Sequence, residues 1–116
     1  MDPGAILDLF AGLGPIRLRR MFGAQGVYLD EVMFALAAGG ELYLKVDAVT
    51  LDSFRAAGSH PFTYERQGRT ARLNYWRLPD AAMEDPDEAA RWARLALDAA
   101  RRSSRKRPNT RAQSPA

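Results

Sequence analysis

Apolar residues fall at helical spacing near both ends of this chain and alternate with polar ones between. Near the start, Ile6, Leu9, Phe10 and Leu13 recur at i, i+3, i+4 and i+7, with Leu7 at the margin of the stripe. Asp2 ahead of Pro3 supplies an N-cap and a first helical residue whose missing N–H is no loss, and Gly14-Pro15 stops the helix. From Pro15 to Phe22 the period is two, with Ile16, Leu18, Arg20 and Phe22 on one side and Arg17, Arg19 and Met21 on the other. Val27 and Leu29 then alternate with Tyr28, and Gly23 and Gly26 are expected to let the chain bend between two strands. Asp30-Glu31 reads as a hairpin turn. Val32, Phe34 and Leu36 alternate with Met33 and Ala35, Gly39-Gly40 turns the chain, and Leu42, Leu44 and Val46 lie opposite Tyr43 and Lys45.

A short helix is predicted from Asp47 to Ala57, capped by Asp47 or Thr50, with Leu51, Phe54 and Ala57 buried and Gly58 as its stop. Strands over 62–66 and 70–75 flank Gln67-Gly68-Arg69, with Gly68 at the position needing positive φ, and Trp76-Arg77-Leu78-Pro79 leaves the sheet. Asp85-Pro86-Asp87-Glu88 is the strongest helix start, with Glu88 expected to reach back in a capping box. Ala89, Trp92, Ala93, Ala96, Leu97 and Ala100 form one face of that helix, while Asp87, Arg91, Arg94, Asp98 and Arg101 form the other. The order is helix, three or four strands, helix, two strands, helix. Connections short enough for hairpins imply antiparallel pairing, hence an α+β domain with a single antiparallel curved sheet and helices on one face.

Composition adds boundaries and a compartment. At 116 residues the chain supports one core, read as a domain over 1–102 followed by a disordered basic tail over 103–116, whose polar composition cannot bury a core. The lack of cysteine excludes disulfides and thiolate metal sites. With no apolar run of membrane-spanning length and no basic start to Met1-Asp2-Pro3-Gly4, a cytoplasmic protein is expected. The formal net charge of +3 conceals an asymmetry. Six of the 17 cations and none of the 14 acids lie from Arg101 onward, so the body is net −3 and mildly acidic, without a basic docking face.

Arg19, Arg20, Lys45 and Arg72, with Tyr28, Tyr43 and Tyr75, are the candidate contact surface: cations beside aromatic rings suit single-stranded nucleic acid, an acidic peptide or a small ligand. The same alternation also arises when an open sheet face is simply solvated. Arg101, Arg102, Arg105, Lys106 and Arg107 are candidates for weak, sequence-independent nucleic-acid contact, or for a solubilising role. Gly23 and Gly26 make no phosphate loop, since no Lys-Ser/Thr and no helix follows them. His60, the one histidine, has no companion for general-base or metal chemistry. Asp85, Asp87 and Glu88 are explained by capping, and Trp76 and Trp92 as core anchors. No catalytic, metal or cofactor site is expected, so the chain reads as a non-enzymatic binding or regulatory module.

Arg20-Met21-Phe22-Gly23, then Gly26-x-Tyr28, Leu29-Asp30-x-Val32-Met33-Phe34-Ala35, Leu42-Tyr43-Leu44-Lys45-Val46 and Asn74-Tyr75-Trp76-x-Leu78-Pro79 resemble, in order and spacing, the N-terminal domain of the TfoX/Sxy family. The resemblance covers roughly residues 5 to 102. It departs at Ala24 and Gln25, where the family often has glycine and tyrosine, and at Glu31, where it often has glycine. It implies an α-β3-α-β2-α order similar to that of secretion chaperones, which often pair as homodimers. Founding members are bacterial regulators of natural competence, thought to act with the cyclic-AMP receptor protein at promoters. The resemblance therefore implies transcriptional regulation through protein–protein contact, with transcription machinery as partner. Full-length members carry a second, helical C-terminal domain, whereas here a basic segment follows.

Overall fold

Asp2 opens the first helix as its composition dictates, its carboxylate accepting the Ala5 N–H at 3.1 Å ahead of Pro3. The computed structural model describes residues 2–21 and 23–113, with side chains as far as Ser104. Helix α1 (Pro3–Leu9) is followed by β1 (Arg17–Met21), β2 (Ala24–Leu29), β3 (Val32–Ala38), β4 (Glu41–Lys45), α2 (Leu51–Ala56), β5 (Pro61–Arg66), β6 (Arg69–Arg77), a 3-10 turn (Asp80–Ala82) and α3 (Pro86–Gln113). Four strands precede α2, one more than the family order implies, and β6 retains Trp76 and Arg77, which the sequence pattern places outside the sheet.

All strand pairs are antiparallel, in the order β1-β2-β3-β4-β6-β5. The β2–β3 hairpin turns at Asp30 and Glu31 with φ of 51° and 65°, a two-residue turn in the left-handed region made without glycine. Asp tolerates that region through its short polar side chain, and Glu31 is held from outside, accepting a 2.8 Å hydrogen bond from Arg17. Between the pairs Val27–Ala35 and Tyr28–Met33 the register slips, leaving Phe34 as an extra residue on β3. Phe34 and Ala35 therefore both point inward, fully buried, and strict alternation through Val32–Leu36 fails at this point.

Helices pack on one face of the sheet. Phe10 meets Phe34 edge-on at 5.5 Å and Phe54 of α2 meets Trp92 of α3 at 4.8 Å. Ala89, Ala93, Ala96 and Ala100 are all at most 5% exposed, and their small size lets α3 lie close against β3 and β4. Asp85 caps α3 through the N–H groups of Asp87 and Glu88, at 3.1 and 3.3 Å. The expected reciprocal arm is missing: the Asp85 N–H donates to the Ala82 carbonyl, and Glu88 lies 3.4 Å from Arg91. Composition predicts a disordered tail from residue 103, yet α3 runs on to Gln113, and residues 114–116 lie outside the described residues.

Two arginines tie α3 to the sheet. Arg102 grips Asp47 with both arms of its guanidinium, at 2.6 and 3.0 Å, and Arg101 lies 3.5 Å from Asp30. Asp47 also accepts the N–H groups of Val49 and Thr50, while the Thr50 hydroxyl accepts the Asp47 N–H, so the two residues together fix the turn that leads into α2; Thr50 stands at the N-cap but makes no side-chain cap bond. The Arg102 hydrogen bonds hold the Asp47 carboxyl below its ordinary value and raise the guanidinium above its own, against the opposing effect of burial.

Because the folded pKa of Asp47 is depressed, the stability it contributes is complete above about pH 4, the ordinary carboxylate range, and disappears as pH falls through the folded value. Arg102→Gln should lower the urea midpoint at pH 7 and show a shrinking difference from wild type on acidification below about pH 4; a difference of equal size at both ends would contradict this reading. Phe34→Ala should cost about 3–5 kcal/mol in the same assay, and a loss under about 1 kcal/mol would mean the core closes over the gap.

Candidate functional site

The strand registers place five of the seven candidate contact residues on the sheet face opposite the helices. Arg19 lies across from Gly26, Tyr43 across from Leu36, and Lys45 across from Tyr75. Tyr28 shares that face with Met33. The Lys45 ammonium stands 5.3 Å from the centre of the Tyr75 ring, a cation–π pair, and Tyr43 packs edge-on against Phe62 at 4.9 Å. The cation over Tyr28 is Arg17, at 6.0 Å, held also by Glu31, and sequence reasoning did not select it. Arg20 and Arg72 are placed on the helix-bearing side: Arg20 follows Leu18 at two residues, and Arg72 neighbours the outward Leu73. Both are exposed there and do not join the platform.

A larger feature lies on the same outer face. Met21 of edge strand β1 and Tyr64 and Arg66 of edge strand β5 line one groove of about 620 Å³, together with Met33, Leu36 and Leu73. Six strands side by side would hold the two edges roughly 24 Å apart in a flat sheet, so one groove shared by both requires strong curvature. The face is concave, but its main groove is lined mostly by apolar residues, with Tyr64 and Arg66, and by none of the candidate contact residues. A smaller cavity of about 280 Å³ gathers Tyr28, Met33, Lys45 and Tyr75 against Ala100, Ser103 and Ser104 of α3.

Gly26 has a different role from the expected bend. The bend belongs to Gly23, at φ 78° between β1 and β2, whereas Gly26 is buried within β2. A Cβ there would meet the sulfur atoms of Met21 and Met33 at 3.1 Å and Tyr28 Cε1 at 3.0 Å. Its missing side chain makes room for the two thioethers. The signal for the groove was the unbroken apolar run from Val32 to Ala38, which marks a strand covered on both faces.

The remaining candidates are dispersed. Arg101 and Arg102, read as tail cations, are engaged with Asp30 and Asp47 on the folded body. The side chains of Arg105, Lys106 and Arg107, and all of Phe22, lie outside the described residues. His60 is exposed ahead of β5, its carbonyl accepting the Arg77 N–H at 2.9 Å. Arg77 is instead the most heavily bonded cation of the sheet, donating to Glu41 at 2.7 Å and Asp80 at 2.6 Å, and these bonds raise its pKa. Among the described residues no group of three or more His, Cys, Asp or Glu could hold a metal ion, and no helix is long and apolar enough to cross a membrane.

Comparison with known proteins fits this architecture. Protein Sxy of Escherichia coli (strain K12) is 33% identical over 107 residues, which is 90% of this chain and 49% of Sxy. The DNA transformation protein TfoX1 of Aliivibrio fischeri is 27% identical over 74 residues, 64% of this chain and 35% of TfoX1. The chain thus spans about half the length of the first relative and about a third of the second. The family model described as the TfoX N-terminal domain matches residues 8–100, most of the folded body, and on that match the chain belongs to the TfoX N-terminal domain family.

Proposed function

We propose that this chain is a non-enzymatic regulatory module that works by binding another protein through the concave outer face of its sheet. The role would be of the competence type, which the name DNA transformation protein TfoX1 indicates for one relative. One observation carries the proposal. The helices occupy the opposite face, while the outer one presents a large apolar groove beside the Lys45–Tyr75 pair. An apolar patch of that extent with a polar rim is the anatomy of an interaction surface. Family membership supports the regulatory part of the reading, and surface chemistry supports the contact part.

The test pairs regulation with folding. In the parent bacterium lacking its own copy, the wild-type chain should restore transcripts of DNA-uptake genes. The Arg19→Glu/Lys45→Glu double variant, altered at two outer-face strand positions of which Lys45 also borders the end of α3, should restore about tenfold less while melting at the wild-type temperature. A photo-crosslinking residue at position 73 should yield a protein adduct that the same group at the exposed, helix-side Ala11 does not. Full restoration by the double variant, or equal adducts at both positions, would overturn the proposal.

A further inference from the structure

The groove combines an apolar floor with cations that lack partners. Met21, Met33, Leu36, Phe62 and Leu73 supply the floor, and Arg66 stands in its wall. Arg69 is the direct cross-strand partner of Arg66, and Arg19 precedes Met21 by two residues on the same face. Among the described residues, Arg19, Arg66 and Arg69 form no ion pair, and all three are exposed. The acids near this face are engaged: Glu31 with Arg17, Glu41 with Arg77 and Asp30 with Arg101. Like charges placed directly opposite, as in Arg66 and Arg69, are destabilising in the free sheet and are relieved by an anionic partner.

We propose that this groove receives an acidic amphipathic segment of a partner protein. Its apolar side chains would seat among Met21, Met33, Leu36 and Phe62, and its carboxylates would meet Arg19, Arg66 and Arg69. The inference rests on the protein-contact reading above and specifies the chemistry of the partner. A volume of about 620 Å³ accommodates several apolar side chains, and two flexible thioethers in the floor adapt to their shapes. A second copy of this chain fits poorly, because two-fold pairing over the groove would set the unpaired arginines of one copy against the same cationic set of the other. Nucleic acid fits the cations but not the aliphatic and thioether floor, and Phe62 and Tyr64 already stack on each other at 6.1 Å.

Charge reversal provides the test. The probe is a synthetic helix-forming peptide with leucines at i, i+3, i+4 and i+7 and glutamates elsewhere, followed by fluorescence anisotropy against the full chain in about 0.15 M salt. The control peptide carries lysine in place of every glutamate. The glutamate peptide should saturate and bind at least about tenfold more tightly than the lysine peptide. Arg66→Glu/Arg69→Glu should invert that preference, a gain of binding that misfolding does not produce. Leu73→Asp, at a side chain already 37% exposed, should weaken the glutamate peptide about tenfold.

Equal binding of the two peptides, no saturation, or an unchanged preference in the double variant would overturn the inference. An oligonucleotide bound in a manner that the Arg66/Arg69 reversal abolishes, without glutamate-peptide binding, would replace it with a nucleic-acid site. A dimer abolished by Leu73→Asp, again without peptide binding, would replace it with self-association. If the peptide fails while Arg19→Glu/Lys45→Glu still loses transcripts in cells, the acidic-segment inference falls and the protein-contact reading stands.

Discussion

Because β3 holds one residue more than β2 between two successive register pairs, Phe34 and Ala35 both turn toward the helices, and Leu36 emerges on the far side beside Met33. Such a bulge bends its strand and increases local twist. The consequences run in both directions through the sheet. Inward, the Phe34 ring fills the space against Phe10 that binds α1 to the core. Outward, the bend helps bring β1 and β5, the two edges, to a common groove. Core packing and outer surface thus share the β3 irregularity, while a second register shift, between Pro61 and Thr63 of the β5–β6 pair, lies in the opposite wall of the groove.

The helix side has its own constraint, the distance at which α3 can lie. A row of buried alanines removes the bulk that would hold the helix off β3 and β4, with Trp92 as the one large anchor against Phe54. Packing of small residues defines spacing but supplies little resistance to sliding. Arg101 and Arg102 fix the position along the helix axis, through Asp30 at the β2–β3 turn and Asp47 at the end of β4. The same Asp47 fixes the turn that leads into α2, so one carboxylate joins the end of the sheet, the approach to the short helix and the long helix.

Most elements were legible because their signals are local. Asp2-Pro3 and Asp85-Pro86 start helices where capping chemistry requires, and alternation in β1 and β4 assigned faces correctly. Errors arose where a distant partner decides the outcome. Alternation through Val32–Leu36 looks unbroken in the sequence, since no residue in β3 announces that β2 will skip one. Arg101 and Arg102 looked like tail cations because their acids lie 71 and 55 residues away in sequence. Gly26 looked like a bend because glycine usually marks one, whereas the two methionine sulfurs that need its space come from neighbouring strands. Composition groups Arg20 and Arg72 with the tyrosines, and register separates them.

Net charge, too, is an average over positions. The body is net −3, which argued against a basic docking face. The acids of that body, however, are concentrated at caps, turns and helix termini: Asp2 and Asp85 cap helices, Asp30 and Glu31 form a turn, and Asp47 holds α2 and α3. Those positions are ones where a carboxylate satisfies backbone N–H groups or meets an arginine, and its charge is compensated locally. Among the described residues, the outer-face arginines that form no ion pair are Arg19, Arg66 and Arg69. With a Debye length of roughly 8 Å at physiological salt, an approaching segment responds to these nearby guanidiniums far more than to the sum over the domain. An acidic domain can therefore present a cationic groove, because the charge a partner meets is set by which ion pairs the fold has already closed.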